Sequence, residues 1–418
     1  MTAVVLRGDA RALPLPDASV DLIVTSPPYF GLRSYTDGGE HYAGQIGSEA
    51  TPREWLAALV ACTREWVRVL KPSGSIFVNL GDKYAQPGKG ERNMQGVGGT
   101  IVHKVGVAQA NRSACDVSYD GLPGKCLMGL PWRYALACTD DLGLILRRDI
   151  IWSKPNGLPE SVTDRCRSSH EYVFHLVKQP RYYASVDEIR EPHTGGTHAR
   201  RADGQHSPKE QATIASGFRR GYFPENRENP LGKLPGSVWV WDIPTQPLTV
   251  PAHLGVDHFA AFPMELPRRV ILGWSPPGVC TACGEGRRPV VLHEIGPDHQ
   301  GRAGTLHGGD RARLGHATER KMLDGLSLRT ITGYACACPQ PDAPIRPAVV
   351  LDPFGGTGTT ALIAAAYGRT GVSVDLSADY CRLARWRAGD PAERAKALQV
   401  PKPPPVPDGQ DSLFEVPA

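Results

Sequence analysis

Residues 347–387 read PAVVLDPFGGTGTTALIAAAYGRTGVSVDLSADYCRLARWR, and they carry the clearest fold signal in the chain. A short apolar run, Val349 to Leu351, predicts a buried strand that leads through a glycine-rich turn into a helix of small residues. A second strand is predicted from Gly371 to Val374, followed by a helix with Leu383 and Trp386. This order of elements is typical of a parallel α/β sheet.

The turn DPFGGTGTT, residues 352–360, has the composition of a nucleotide-binding turn. Glycines after a strand let the backbone approach a ligand, and the helix that follows offers free N–H groups at its N-terminus. Asp375 ends the next strand 23 residues after Asp352, about the spacing at which an acid hydrogen-bonds ribose hydroxyls. Thr359 stands where a phosphate-binding P-loop has lysine, which favours a nucleoside without a triphosphate. A tight βα turn that binds nothing is the alternative for this motif alone.

A second transition from strand to loop lies near the N-terminus, where the apolar run from Val20 to Val24 ends in Thr25-Ser26-Pro27-Pro28-Tyr29. Two successive prolines cannot continue ladder pairing, so a buried strand is predicted to open into a rigid loop. Thr51 and Glu54 form the pattern of a capping box, with Pro52 at the first helical position. Lys71-Pro72-Ser73-Gly74 is predicted to end this helix before the strand SIFVNLGD.

The middle of the chain continues the pattern with less regularity. We expect a helix from Leu130 to Asp140 and two strands near the sheet edge, at 144–154 and 171–178. Residues 85–125 and 193–235 lack periodicity and are predicted to be long loops. The second loop concentrates basic and aromatic residues and is either a solvated loop or one that faces nucleic acid: Arg200, Arg201, Lys209, Arg219, Arg220, Tyr222 and Phe223.

Composition narrows the class of protein. The 418 residues are enough for two or three domains, and 41% apolar with 22% charged residues is a globular balance that excludes disorder throughout. A net charge of +4 permits a polyanionic partner without requiring one. We expect a cytoplasmic protein with no membrane partner, because no apolar run is long enough to span a bilayer and the N-terminus lacks a signal-peptide pattern.

Ten cysteines in a reducing compartment are not expected to form a disulfide framework. Four of them fall in two close pairs, Cys280/Cys283 and Cys336/Cys338, which favours a structural zinc site; two unrelated pairs of free thiols are the alternative. The intervening residues are rich in arginine, so the insert is either a zinc-tied lobe that contacts DNA or a solvated excursion.

TSPPY at 25–29 together with DPFGGTGTT at 352–360 resembles the amino-methylating DNA methyltransferases, which use S-adenosylmethionine to methylate cytosine N4 or adenine N6. The catalytic motif precedes the cofactor motif, as in the class called β. HFAAFPMELPRRVI at 258–271 is similar to the family segment that packs over the cofactor, and residues 154–178 resemble a stretch common in a bacterial and phage branch.

The resemblance implies a doubly wound, Rossmann-like α/β fold with inserted target-recognition segments, and the cysteine pairs add the expected zinc-bound insert. It divides the chain into a catalytic half at 1–190, a basic recognition loop at 191–235, a return to the sheet with the cofactor-covering segment at 236–279, the insert at 280–345, a cofactor-binding half at 346–395 and a flexible tail at 396–418.

The same resemblance implies roles for single residues. Ser26 and the Pro27 carbonyl would accept the N–H bonds of the target amine, Pro28 would stiffen the loop, and Tyr29 would stack on an extruded base. Asp9 would accept a bond from the cofactor adenine amine. The other expected cofactor-binding residues are Thr25, Asp352, Pro353, Phe354, Gly355, Gly356, Thr357, Gly358 and Asp375.

Family members with serine before Pro-Pro-Tyr more often methylate cytosine N4, so cytosine is the preferred target and adenine N6 the alternative. The expected partner is double-stranded DNA, with a cognate restriction endonuclease as a further candidate. Two rivals remain at this point: a zinc-containing DNA-binding protein without catalysis, and a methyltransferase for RNA or protein amines. The recognition sequence has no readable code in the chain.

Overall fold

The computed structural model describes residues 2–31, 36–37, 40–41, 44–85, 121–157, 159–191, 232–240, 248–256, 263–295, 327–340 and 342–402. The predicted loops at 85–125 and 193–235 lie mostly outside these residues, as do residues 258–262 of the cofactor-covering segment and most of the stretch between the cysteine pairs. The basic and aromatic residues singled out between Arg200 and Phe223 also lie outside them.

The chain divides into two compact units. The first comprises Met1–Ala184, Gly236–Gly286 and Asp342–Ala418, and the second comprises Ser185–Pro235 and Arg287–Pro341. The helices are α1 (Pro52–Val69), α2 (Leu130–Asp140), α3 (Glu265–Trp274), α4 (Thr359–Ala366), α5 (Ala378–Gly389) and α6 (Pro391–Leu398). The strands are β1 (Ala3–Arg7), β2 (Val20–Thr25), β3 (Thr36–Asp37), β4 (Glu40–His41), β5 (Leu70–Leu80), β6 (Ile145–Ser153), β7 (His170–Val177), β8 (Val238–Val240), β9 (Val279–Cys280), β10 (Arg288–Ile295), β11 (Ser327–Ala335), β12 (Ile345–Arg346), β13 (Val349–Asp352) and β14 (Thr370–Asp375).

An eight-stranded sheet organises the first unit, in the order β1-β14-β13-β2-β5-β7-β6-β8. The five strands from β1 to β5 in this order are parallel, and β7 runs antiparallel to both β5 and β6. The central strands come from both ends of the chain, as the two sequence motifs require. Because parallel strands end at one edge, the loops after β1, β14, β13, β2 and β5 meet there.

Side chains alternate between two apolar cores, one on each face of the sheet. Ile23 and Leu351 belong to the core that α1 and α2 cover, whereas Leu22 and Val350 belong to the core that α3 and α4 cover. Burial on both faces explains why these strands read as continuous apolar runs instead of alternating ones. The predicted α/β class, with helices on both faces, is confirmed.

Helix α1 begins as predicted: Thr51 caps it, and Thr51 and Glu54 form the reciprocal bonds of a capping box. The helix ends at Val69, just before Lys71, but the next strand differs from the expectation, because β5 starts at Leu70 and not after Gly74. Val20 pairs with Leu70 while Leu22 pairs with Ser75, so the ladder shifts register over residues 71–74. Pro72 lies inside this irregular stretch, where a missing N–H is tolerated.

The second unit contains a two-stranded antiparallel ribbon of β10 and β11, with a register shift between Val290 and Val291. In the first unit, β9 pairs with β12. Helix α6 extends to Leu398, so the boundary drawn at 396 falls within a helix. Within the described ranges, no helix is long and apolar enough to cross a membrane.

Candidate active site

The loop Ser26-Pro27-Pro28-Tyr29 leaves the fully buried strand β2 at the carboxyl edge of the sheet. The Trp55 indole N–H of α1 donates to the Pro28 carbonyl at 3.0 Å. On the other side, Gly47 lies so close that a Cβ there would be 2.9 Å from the Tyr29 carbonyl oxygen. The loop is therefore held by its own prolines, by a helix and by a neighbouring turn, which leaves it little freedom to move.

A polar cluster surrounds the tip of this loop. The Tyr29 hydroxyl donates to Glu171 Oε2 at 2.8 Å and lies 3.4 Å from Ser26 Oγ. Asn79 Nδ2 donates to the Tyr29 hydroxyl at 2.6 Å and to Glu171 Oε2 at 2.7 Å. Lys154 forms an ion pair with the other Glu171 oxygen. Four separate elements thus contribute to one hydrogen-bonded cluster beside Ser26.

Asn79, Lys154 and Glu171 are site residues that sequence reasoning missed. Asn79 interrupts an otherwise apolar run near the end of β5, and Glu171 begins the apolar run of β7. A buried polar residue in such a run was the available signal. Asn79 Oδ1 is buried and receives no hydrogen bond from the described residues, the state expected of an acceptor beside a ligand site.

The glycine-rich turn after β13 packs tightly against β14 at Gly355 and is open at Gly356. A Cβ on Gly355 would lie 1.8 Å from Ser373 Oγ, so only glycine fits against β14 there. Gly356 has a φ of +49°. A Cβ added there would have the Phe354 carbonyl oxygen, 4.0 Å away, as its nearest neighbour. The turn therefore presents an open backbone surface at Gly356.

Asp375 holds this turn. Its Oδ2 accepts a bond from Gly356 N at 2.8 Å, and its Oδ1 accepts one from Ser377 N at 2.9 Å. Gly8 N donates to the Asp375 carbonyl at 2.9 Å, which brings the end of β1 beside it. Three predicted cofactor residues, Asp9, Gly356 and Asp375, are thus gathered at neighbouring strand ends.

The Asp9 carboxylate is engaged by Arg11. Arg11 Nε lies 3.0 Å from both Asp9 oxygens, and its Nη2 donates at 2.7 Å. Hydrogen bonds from Arg11 lower the pKa of Asp9. The Asp9 side chain is about a third exposed, at 31%, and so keeps access to a ligand.

Asp352 is buried under the turn instead of lining its open side. It accepts bonds from Thr360 Oγ1 at 2.9 Å and Phe354 N at 3.1 Å. Burial raises the pKa of Asp352 to about 6. Thr360 Oγ1 also lies 3.3 Å from the Val24 carbonyl, so Asp352 and Thr360 tie the cofactor turn to the strand that carries the SPPY loop.

A buried ion pair supports the turn from the C-terminal side, and sequence reasoning also missed it. Arg387 Nε donates to Glu393 at 2.8 Å, and Arg387 Nη1 donates to Thr357 Oγ1 at 2.9 Å and Thr359 Oγ1 at 2.7 Å. Both charged side chains are buried. Arginine in a run such as RLARWR predicts a solvated helix face, and only the tertiary structure reveals its partner.

The sulfur atoms of Cys280, Cys283, Cys336 and Cys338 all lie within 4.8 Å of one another. Those of Cys336 and Cys338 are 3.3 Å apart. A tetrahedral zinc site with Zn–S bonds of about 2.3 Å places its sulfur atoms about 3.8 Å apart, so the four thiols have the grouping that such an ion needs.

Comparison with known proteins agrees with this architecture. A family model described as DNA methylase, for N6- and N4-methyltransferases, matches residues 20–281 and 345–385. The chain belongs to this DNA methylase family. The two matched stretches contain the SPPY loop and the glycine-rich turn. Residues 282–344, which include the β10–β11 ribbon and three of the four clustered cysteines, fall between them.

Relatives within the family are Type II methyltransferases of bacteria. M.Cfr9I of Citrobacter freundii is 34% identical over 311 residues, which is 71% of this chain and 85% of the relative. M.SmaI of Serratia marcescens is 34% identical over 296 residues, which is 70% of this chain and 82% of the relative. Among solved structures, the cytosine-N4-specific PvuII DNA methyltransferase aligns with a TM-score of 0.49 and 15% identity over 96% of this chain and 91% of its own. Both relatives are named Type II methyltransferases, and family membership identifies this chain as a DNA methylase.

Proposed function

We propose that this DNA methylase transfers a methyl group from S-adenosylmethionine to the exocyclic amine of a base flipped out of double-stranded DNA, with cytosine N4 as the target. The observation that carries the proposal is the position of the Ser26-Pro27-Pro28-Tyr29 loop. It leaves the strand next to β13, and Thr360 Oγ1 donates to Asp352 under the glycine-rich turn while lying 3.3 Å from the Val24 carbonyl of β2. The loop that supplies the amine acceptors and the glycine-rich turn that would hold the nucleoside therefore follow adjacent strands, β2 and β13.

The turn fits the proposed cofactor. Its backbone is open at Gly356, and the acids Asp9 and Asp375 stand at the ends of the two neighbouring strands. Carboxylates are suitable acceptors for an adenine amine and for ribose hydroxyls. Phe354 contributes an apolar edge, with its ring in edge-to-face contact with Trp66. When bound, S-adenosylmethionine supplies an electrophilic methyl group.

The amine of cytosine or adenine is a poor nucleophile because its lone pair is conjugated with the ring. Acceptors placed on its N–H bonds draw the nitrogen toward a tetrahedral geometry with an available lone pair. Ser26 Oγ and the Pro27 carbonyl supply two such acceptors, and the contacts of Trp55 and Gly47 with the loop fix their direction. Tyr29 supplies a ring on which the extruded base stacks; methyltransferases are a known class of base-flipping enzymes.

Cytosine is proposed because Ser26 is neutral. Its hydroxyl accepts a hydrogen bond from the single exocyclic amine of cytosine without placing a full negative charge in the pocket. Adenine N6 is the second candidate, since the same acceptors serve its amine and Tyr29 can stack on the larger ring.

We also propose that Cys280, Cys283, Cys336 and Cys338 hold a structural zinc ion. The support is the grouping of their sulfur atoms within 4.8 Å and the preference of zinc for thiolate ligands. Such an ion would hold together the two ends of residues 282–344, which lie between the two stretches that match the family. A cognate restriction endonuclease is the proposed functional partner, on the basis of the Type II relatives.

A transfer assay with tritiated S-adenosylmethionine tests the proposed function. We expect label to enter duplex DNA and not RNA or protein. Binding of the cofactor without transfer to any polymer would favour a non-catalytic DNA-binding protein, and label in RNA or protein would favour a methyltransferase for those amines. The variant Ser26→Ala, assayed beside the wild type, links any observed transfer to this site.

A further inference from the structure

We propose that Glu171 is a positioning residue that sets the direction of the hydrogen bonds at Ser26, so that the Ser26 oxygen faces the target amine as an acceptor. This inference rests on the proposed function and extends it to a residue outside the SPPY motif. The structural basis is a chain of polar contacts from Ser26 through the Tyr29 hydroxyl to the Glu171 carboxylate.

The carboxylate lies at one end of this chain and is held there from two sides. Glu171 is the second residue of β7, and β7 pairs with β5, the strand that carries Asn79. Lys154 occupies Glu171 Oε1 in an ion pair in which both side chains are about five-sixths buried, at 15% and 16% exposure. Asn79 donates to Oε2 at 2.7 Å. The carboxylate thus has a cation on one oxygen and an amide donor on the other.

An ionised carboxylate can only accept hydrogen bonds, whereas a hydroxyl can donate one and accept two. Tyr29 must therefore donate its proton to Glu171 Oε2, over the observed 2.8 Å. The Tyr29 oxygen is then left as an acceptor toward Asn79 Nδ2 at 2.6 Å and toward Ser26 at 3.4 Å. With its hydrogen drawn toward Tyr29, Ser26 Oγ accepts from Asn79 Nδ2 over 3.5 Å and has its other lone pair for the amine.

This directionality matters because Ser26 is useful to the reaction only as an acceptor. A Ser26 hydroxyl that received a hydrogen bond from Tyr29 would have one lone pair fewer for the amine and a hydrogen free to point at it. The Glu171 carboxylate excludes that arrangement without contacting Ser26, because it takes the hydrogen of the Tyr29 hydroxyl that lies between them. Glu171 thus acts through Tyr29, and Lys154 acts through Glu171.

Gly81 provides a second line of support for this role of Tyr29. A Cβ at Gly81 would lie 2.9 Å from Tyr29 Cε2 and 3.4 Å from Glu171 Cγ. The end of β5 thus leaves room for the Tyr29 ring and the Glu171 stem side by side.

The test compares steady-state methylation of duplex DNA by wild type, Glu171→Gln, Tyr29→Phe and the double variant. Glutamine keeps the shape of the side chain but can present an amide donor to Tyr29, so the direction of the chain is no longer fixed. We expect Glu171→Gln to lower kcat about tenfold or more while the KM values for DNA and cofactor change less than threefold. Glu65→Gln is the matched control, because Glu65 also pairs with a basic side chain, Arg68, and is 16% exposed like Glu171, but it lies on α1 and outside the polar cluster; it should leave kcat unchanged.

Tyr29→Phe removes the hydroxyl through which Glu171 acts, so Glu171→Gln should add little further loss in that background. A residue that merely stabilises the fold would instead lower kcat by the same factor in both backgrounds. Multiplicative losses, or a kcat for Glu171→Gln equal to that of the wild type, would overturn the inference while leaving the proposed function intact. Absence of DNA methylation by the wild type itself would overturn both.

Discussion

The backbone amide of Gly356 donates to the carboxylate of Asp375 over 2.8 Å, although the two residues are 19 positions apart in the chain. One bond thereby joins the glycine-rich turn after β13 to the end of β14. The acid expected to contact the cofactor is also the group that shapes the turn for it. Loss of Asp375 would therefore remove a ligand contact and loosen the cradle together.

Asp375→Ala should weaken S-adenosylmethionine binding about ten- to a hundredfold, the effect of losing a charged hydrogen bond of roughly 1.5–3 kcal/mol. Isothermal titration calorimetry measures the change. Asp379→Ala is the control, since Asp379 is an acid on the following helix that pairs with Arg382. Unchanged affinity in Asp375→Ala would remove Asp375 from the cofactor site.

Cys336→Ser should remove the zinc ion by deleting one of four thiolate ligands. Elemental analysis of protein purified without chelator should find about one zinc per chain in the wild type and a clear deficit in the variant. Cys166→Ser, which changes an exposed cysteine outside the cluster, should retain the metal. Wild-type protein without stoichiometric metal would show that the four thiols are free.

Ser26→Ala should slow methyl transfer about ten- to a hundredfold, as expected for the loss of one hydrogen bond worth about 1.4–2.8 kcal/mol in the transition state. DNA and cofactor affinities should stay close to those of the wild type, because the hydroxyl acts on the reacting amine. Ser19→Ala provides the control at a partly buried serine outside the site, whose hydroxyl donates to the Pro16 carbonyl. Equal single-turnover rates for Ser26→Ala and wild type would exclude Ser26 from the reaction.

His175 predicts a pH dependence of stability. It is buried between Phe77 and Trp274, and burial lowers its pKa from 6.5 to about 3. Between these values the unfolded chain binds a proton that the folded chain does not, so stability present above pH 6.5 is lost as the pH falls. The loss attributable to His175 should approach about 1.4 kcal/mol per pH unit.

Urea unfolding at pH 7.5 and 5.5 measures this effect. The free energy of unfolding should fall by about 1 kcal/mol more in the wild type than in His175→Gln over this interval. Identical pH dependence in wild type and His175→Gln would mean that His175 titrates normally.

Local patterns predicted much of the sheet and little of its polar chemistry. Short-range rules predict three of its features, because each depends only on residues close together in sequence: the capping box at Thr51, the buried run of β2 and the glycine-rich turn after β13. The partnership of Tyr29 with Glu171 depends on β7 lying beside β5, and that of Arg387 with Thr357 on how α5 packs. Neither arrangement leaves a periodic signal, because strand order and helix packing are set by the whole core.

The bulge at residues 71–74 illustrates the same limit on a smaller scale. Lys-Pro-Ser-Gly is typical of a helix end followed by a turn, and α1 does end there. Leu70 nevertheless pairs with Val20, and Lys71 forms an ion pair with the buried Asp21. Pairing with β2 therefore extends the strand through a sequence that local rules assign to a loop.

The most direct test of the proposed chemistry is mass spectrometry of nucleosides from duplex DNA incubated with the purified enzyme and S-adenosylmethionine. Because Ser26 is a neutral acceptor beside Pro27, we expect N4-methylcytosine to accumulate and to be greatly reduced with Ser26→Ala. N6-methyladenine in place of N4-methylcytosine would contradict the assigned target base while retaining amine methylation at this site. DNA without either modified nucleoside would contradict the proposed activity itself.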